Sequence, residues 1–509
     1  MTRMPPPKSV GACATLVPMS DDRPVTAEPG GLNPAAMDAG ELVRRTGGRL
    51  LRRSDRAVRG AAVDSRLVRP DELFVALPGE RTDGHGYLPE AARAGASALV
   101  VTRELGVDDL AALGDVTVLL VADGLRALHA IAAGWRSRFV PLVIGVTGSI
   151  AKTSTKEAVA AVLSTRRVTL KNEGNLNNEI GLPLTVLRLA PEHEAVVLEM
   201  GMYVGGEIAD LARLAGPRIG VVTAVQGVHL SRIGTLDAIE AAKGELIEAL
   251  PADGTAVLNA DDPRVARMAG RTAARVVTYG LSPTADVTAE SIRSAGLDGM
   301  RFILRATVAG RRTRRPISIP VLGRLSVHNA LAAAAAGRAA GLDMDAVTEG
   351  LARGWSAPHR VAVVGAGDVT IVDDTYNASP GSVVAALDLL AGLPGRRVAV
   401  LGEMLELGEA AVAGHHEVGI AAAATVDLLI VVGDGARGIA DGARSGGLDR
   451  SRIVTVPDRA AALDALRARL APGDVVLVKG SRGIALDELV DALVAERSEP
   501  RDQDAGRRP

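Results

Sequence analysis

Through the middle of the chain, short, nearly continuous apolar runs alternate with stretches whose apolar positions recur at helical spacing. The runs Leu142-Val143-Ile144-Gly145-Val146, Ala195-Val196-Val197-Leu198, Ile219-Gly220-Val221-Val222 and Ala256-Val257-Leu258 read as buried strands. Strands apolar on both faces belong to a largely parallel sheet covered by helices on both sides. From about 285 to 321 the texture changes to alternating strands with no helix, an antiparallel appendage. A second series begins near His359, with strand candidates at 369–372, 398–401, 428–432, 453–456 and 475–478. That alternation is Rossmann-like, with the usual right-handed crossovers. Ahead of both lies a smaller α/β region with strand candidates 71–77 and 96–101. A helix from Leu125 to Arg138 follows it, its Leu128, Ile131, Ala132 and Trp135 at helical spacing, and links the first region to the second.

The expected fold class is α/β with three domains: a small N-terminal domain over 39–137 (linker helix included), a doubly wound central domain over 138–357 and a Rossmann-like C-terminal domain over 358–497. A chain of 509 residues is too long for one hydrophobic core, which agrees with three. Residues 1–38 and 498–509, polar and without an apolar period, are expected to be disordered extensions.

Composition removes several function classes. Aromatic residues make up only 2% of the chain and the formal charge is −2, so neither stacking platforms nor a global basic field would hold nucleic acid. Cys13 is the sole cysteine, which excludes an internal disulfide framework and a cysteine-based zinc site. No apolar run reaches the roughly 18 residues of a membrane span. The apolar stretch Val10 to Met19 is short, holds Pro18 and runs into Asp21-Asp22-Arg23, unlike a signal peptide. A monomer working in the cytoplasm on small molecules is expected, with no nucleic-acid partner.

The clearest chemistry follows the strand ending at Val146: Thr147-Gly148-Ser149-Ile150-Ala151-Lys152-Thr153-Ser154, opening a helix. A tight glycine turn between strand and helix N-terminus aims backbone N–H groups at one point, where the helix dipole also favours an anion. Lys152 can neutralise β/γ-phosphate charge and the Thr153 hydroxyl can hold Mg²⁺. The central domain is thus P-loop ATPase-like, and ATP its expected ligand. Ala151 is the misfit, because a left-handed alanine costs about 1 kcal/mol or more. The flanking motifs are expected to fix the phosphates regardless. The alternative is a Ser/Thr-rich helix cap.

Three more constellations sit beyond strand ends, where ligands bind in doubly wound sheets. Glu199 ends one strand and His229 follows another, a carboxylate and an imidazole suited to a divalent metal shared with phosphates, or else ordinary loop hydrogen-bonding groups. The segment Lys171 to Pro183, with Asn175, Asn177 and Asn178, has more amides than one helix cap needs, and reads as a substrate-facing loop rather than only Asx-turns. Asp373-Asp374-Thr375-Tyr376-Asn377-Ala378-Ser379-Pro380 is either an acidic N-cap or a contact to ribose or Mg²⁺.

Together these motifs, with Lys243, resemble the Mur ligases of peptidoglycan synthesis. The Tyr376-Asn377-Ala378-x-Pro380 form and Leu401 to Gly408 resemble the D-alanyl-D-alanine-adding branch, and the likeness spans about residues 58 to 495. It implies an ATP-dependent ligase whose first domain holds a UDP-sugar, through Asp64-Ser65-Arg66 and Asp83-Gly84-His85. Its substrates would be UDP-N-acetylmuramoyl-tripeptide, D-Ala-D-Ala and ATP, joined through an acyl phosphate. By position, Lys152 and the loop amides would cradle phosphates. Thr153 and Glu199 would hold one Mg²⁺, and His229 would help hold a second. Lys243 matches a lysine carbamylated in relatives, which would make it a metal-binding anion. Asn329 resembles an adenine contact, Arg360 and Asp374 the residues that reach phosphate and ribose, and Lys479 to Arg482 the last motif of the C-terminal domain. Two rivals remain on the residues alone: a relative adding another amine, and a non-catalytic nucleotide binder, which Ala151 suggests.

Overall fold

The computed structural model describes residues 36–79, 82–227, 235–308 and 311–498. Three sheets follow one another along the chain, each with helices packed on it. The first has five strands in the spatial order Arg49–Arg52, Thr117–Leu120, Ala98–Val101, Leu73–Val75, Ala61–Ala62, antiparallel only at its first pair. Met37 is already buried and bridged to Val58, and Asp38 caps the helix Ala39–Thr46, so packing starts slightly ahead of Ala39.

The central sheet has nine strands. Thr169–Lys171, Ala195–Glu199, Leu142–Thr147, Ile219–Val222, Thr255–Asn259 and Arg275–Tyr279 lie side by side and parallel. The antiparallel hairpins Val287–Ser294, Met300–Val308 and Arg311–Ile319 continue the same sheet, joined to it by the pair Tyr279 and Val287, so the expected appendage is a sheet extension. Leu142–Thr147 sits between Ala195–Glu199 and Ile219–Val222. The chain leaves that strand first to one side and later to the other, which opens a crevice at its carboxyl end.

The third sheet runs Ala362–Ala366, Val369–Asp373, Val475–Lys479, Arg397–Gly402, Leu428–Val432, Ile453–Val456, antiparallel at its first pair and parallel thereafter. Its opening strand, Ala362–Ala366, is absent from the strands expected from the sequence.

Scarce aromatics are replaced by close approach of small residues. In the helix Arg324–Ala339, Ala330 to Ala336 are fully buried against Ala158, Val159 and Val162 of the helix Lys152–Leu163. A Cβ on Gly337 would lie 2.6 Å from Val162 Cγ1, so a larger residue there would push the two helices apart. The helix Gly124–Arg136 shares one apolar cluster with both the first unit and the central sheet, and Trp135 Nε1 donates to the Leu189 carbonyl at 3.0 Å. Among the described residues, no helix is long and apolar enough to cross a membrane.

Candidate active site

The loop after Leu142–Thr147 turns on two residues with positive φ. Gly148, at φ 149°, lies so close to the neighbouring strand end that a Cβ would sit 1.9 Å from Thr223 Oγ1, which only glycine permits. Ala151, at φ 62° and ψ 6°, occupies the left-handed region and stands at the N-cap of the helix Lys152–Leu163. What holds it there is a set of bonds from the next strand. The Ser149 N–H donates to Ala224 O at 2.7 Å, the Ser149 hydroxyl to Gln226 O at 3.0 Å, and the Thr223 hydroxyl to Ile150 O at 2.6 Å. The Ile150 carbonyl is thus drawn to the sheet while the first-turn N–H groups of Lys152 and Thr153 are left without helical acceptors, the arrangement an anion needs. Thr153 is buried and Ser154 half-buried, and Lys152 Nζ donates to Ser149 O at 3.3 Å.

Glu199 is buried at the end of its strand, 2% exposed. Asn177 Nδ2 donates to its Oε1 at 2.7 Å, while its Oε2 is buried with no hydrogen-bond partner among the described residues. A buried carboxylate oxygen without a partner is costly unless a cation completes it. Mg²⁺ fits: a hard oxygen, a nearby threonine hydroxyl and phosphate oxygens suffice, since such sites borrow ligands from the nucleotide. Among the described residues no three His, Cys, Asp or Glu cluster into a metal cage.

Lys243 is buried on the helix Leu236–Glu248 and donates to the Gly148 carbonyl at 2.9 Å. Burial, reinforced by the charge of Lys152, holds its amine well below the ordinary lysine range. Lys152 is lowered as well, chiefly by burial, with Glu199 opposing and Arg360 adding to the effect. Arg360 belongs to the segment entering the third sheet. His229 lies outside the described residues.

Asn329 is buried and accepts from the Thr155 hydroxyl at 3.1 Å, tying the loop's helix to Arg324–Ala339. Of the asparagine loop, Asn177 faces Glu199. Asn178 Oδ1 accepts from Gly181 N at 2.9 Å, so it caps the helix Gly181–Val186, and Asn175 is exposed. In the first unit Ser65 is buried, and Arg66 bonds Asp64 in its own turn at 2.6 and 2.9 Å.

In the third unit the buried Asp374 is bonded by Lys479 Nζ at 2.5 Å, and the same ammonium donates to Asn377 O at 3.0 Å. Burial still pushes the Asp374 carboxyl upward, against the pull of Lys479 and Arg360. Two guanidinium groups lie over the Tyr376 ring, Arg360 at 3.9 Å and Arg482 at 5.2 Å from its centroid. Arg360 Nε is buried without a partner among the described residues.

Two residues not singled out from the sequence belong here, Asn172 from within the segment Lys171 to Pro183 and Lys156 from outside every motif. Lys156 and Asn172 are both fully buried beside Glu199's strand, and no spacing distinguishes them from a surface helix lysine and a turn asparagine.

Three Mur ligase family models match the chain one after another: the catalytic domain of the family over residues 57–136, the middle domain over 146–337, and the glutamate ligase domain over 359–482. The UDP-N-acetylmuramoyl-tripeptide–D-alanyl-D-alanine ligase of Mycobacterium tuberculosis is 40% identical over 474 residues, covering 85% of this chain and 91% of that one. The chain belongs to the Mur ligase family. Among solved structures, MurF from Acinetobacter baumannii superposes with a TM-score of 0.80 at 28% identity, covering 90% of this Mur ligase and 99% of that chain. MurF from Thermotoga maritima in complex with ADP gives 0.74 at 29% identity, covering 86% and 98%. As a Mur ligase, the protein is an ATP-dependent ligase of three-domain α/β architecture.

Proposed function

We propose that this enzyme joins D-alanyl-D-alanine to UDP-N-acetylmuramoyl-tripeptide, with the first unit (39–137) holding the UDP-sugar, the central unit (138–357) ATP and the third (358–497) the incoming dipeptide. The reading rests on one observation above all: the partnerless Oε2 of Glu199 beside the phosphate loop, in a chain similar over most of its length to ligases of that name.

The substrate carboxylate attacks the γ-phosphorus of ATP, the bond to the β-bridging oxygen breaks, and an acyl phosphate and ADP form. The dipeptide amine then adds to the acyl carbon, loses its proton, and phosphate leaves with the C–O electron pair. Lys152, the first-turn N–H groups and Arg360, whose Nε lacks a partner, carry the phosphate charge; such transfer depends on positioning and neutralisation more than on a protein nucleophile. Thr153 and Glu199 would hold Mg²⁺, which would supply neutralising charge to the phosphates, and His229 is assigned to a second ion from its sequence position alone. Burial favours the uncharged form of the Lys243 amine, which can add to CO₂ and lose a proton, giving a carbamate that would serve as a further anionic ligand. Asn329 orients the adenosine side. Tyr376, which two guanidinium groups approach, and Asn377, Lys479 and Arg482 shape the dipeptide side; Ser65 and Arg66 meet the UDP-sugar, and Asn175, Asn177 and Asn178 line the peptide end. With small-molecule substrates, the enzyme would act as a monomer in the cytoplasm.

Phosphate release with Mg·ATP and UDP-N-acetylmuramoyl-tripeptide, measured with and without D-Ala-D-Ala, is the test. Release should require the dipeptide. Release driven only by another amine would overturn the acceptor, and none with any amine despite bound ATP would overturn the ligase reading.

A further inference from the structure

We infer that Lys156 and Asn172 are positioning residues that set Glu199 against the phosphate loop, and that Mg²⁺ affinity depends on them. The inference rests on the metal role proposed above for Glu199.

Asn172 immediately follows the edge strand Thr169–Lys171, whose Lys171 is in register with Val197. One residue on, the strand ladder stops and the Asn172 side chain takes its place. Its Oδ1 accepts from the Glu199 N–H at 2.9 Å, and its Nδ2 donates to the Glu199 carbonyl at 3.1 Å and to Leu176 O at 2.8 Å. The amide thus grips both backbone polar groups of Glu199, as a neighbouring strand would. The Leu176 bond brings the loop round so that Asn177 meets Glu199 Oε1 and, through its carbonyl, the Gly201 N–H at 2.7 Å. Backbone and carboxylate are both fixed, and only Oε2 is left free.

Asn172 is itself held by Lys156. The Lys156 ammonium donates to the Asn172 carbonyl at 2.5 Å and pairs with Glu157 at 2.9 Å, and Glu157 is also bridged by Lys171. Both Lys156 and Asn172 are wholly buried. Lys156 stands on the helix opened by the phosphate loop, one turn after Thr153. Through these bonds the helix carrying one candidate metal ligand sets the position of the other. An apolar residue would fill the core at position 156 without burying a charge; the ammonium is well placed to bond a carbonyl that would otherwise be unsatisfied.

The test is the Mn²⁺ affinity of the ADP complex, read by electron paramagnetic resonance, beside ADP affinity in EDTA and the melting temperature. Lys156→Met and Asn172→Ser should each weaken Mn²⁺ binding by about 10- to 100-fold, the usual range when a ligand's supporting contact is lost. ADP affinity in EDTA should change by less than about twofold against that range. Because both act on one relay, the double variant should lose no more than the worse single. Lys156→Gln, which retains a donor, should recover part of the affinity and stands in if Lys156→Met does not fold. Wild-type Mn²⁺ affinity in these variants, or equal losses with and without metal, overturns the inference. Glu199→Gln is the control: if it leaves Mn²⁺ binding unchanged, the metal reading itself fails.

Discussion

Glu199 and Asp374 both lie at the carboxyl ends of parallel strands, 2% and 9% exposed, and the chain treats them oppositely. Asp374 is met by an ammonium, Lys479, from the adjacent strand. Glu199 is met by a neutral amide on one oxygen and, among the described residues, by no hydrogen-bond partner on the other. A buried ion pair is complete in itself, and removing one partner is punishing. A buried carboxylate with an unsatisfied oxygen is incomplete until a cation arrives. Burial and charge are therefore poor guides to function by themselves; the identity of the partner separates the two sites.

Substitutions can break or sharpen that contrast. Glu199→Gln should lower kcat by on the order of 10³-fold, as when a preorganised charge contact is lost, while the melting temperature of the free protein holds or rises. A variant with near-normal kcat would remove Glu199 from the site. Lys479→Met should do the reverse in stability, costing about 3–5 kcal/mol in a denaturant titration because Asp374 is left buried and unpaired. Pairing it with Asp374→Asn should recover much of the loss; additive losses would show that the two do not act as a pair. Metal removal offers a milder separation. EDTA should diminish the rise in melting temperature that Mg·ADP gives the wild type, leave Glu199→Gln nearly unmoved, and act on Asp374→Asn as on the wild type. The smallest effect belongs to the loop facing Glu199: Ala151→Gly should stabilise by about 0.5–1 kcal/mol, because glycine reaches the left-handed region without penalty. Destabilisation there would mean that Ala151 is not strained.

Much of this was legible beforehand, for physical reasons. Buried parallel strands write continuous apolar runs, so 428–432 and 453–456 match the strands residue for residue. The run 71–77 shrinks to Leu73–Val75, because hydrogen bonding rather than hydrophobicity ends a strand. Thr169–Lys171 and Ala362–Ala366 escaped because edge strands need no apolar alternation. At the site, Ala151 declared itself, since the motif demands a left-handed residue whatever its identity. Asn172 and Lys156 did not, because their importance lies in bonds to the peptide groups of residues 27 and 16 positions away. Asn178 looked like its neighbours, yet its Oδ1 is taken by the Gly181 N–H at the start of a helix, leaving its Nδ2 for the peptide end.

The strand order of the central sheet also carries a consequence for synthesis. The strand before the phosphate loop pairs only with Ala195–Glu199 and Ile219–Val222, and the helix after it bonds Asn329. A nascent chain therefore emits its nucleotide loop long before anything exists to shape it. At roughly 5–20 residues per second, Asn329 follows the loop by on the order of tens of seconds. ATP can find no finished cradle on the ribosome until most of the central unit has emerged, so the domain matures late and as a whole.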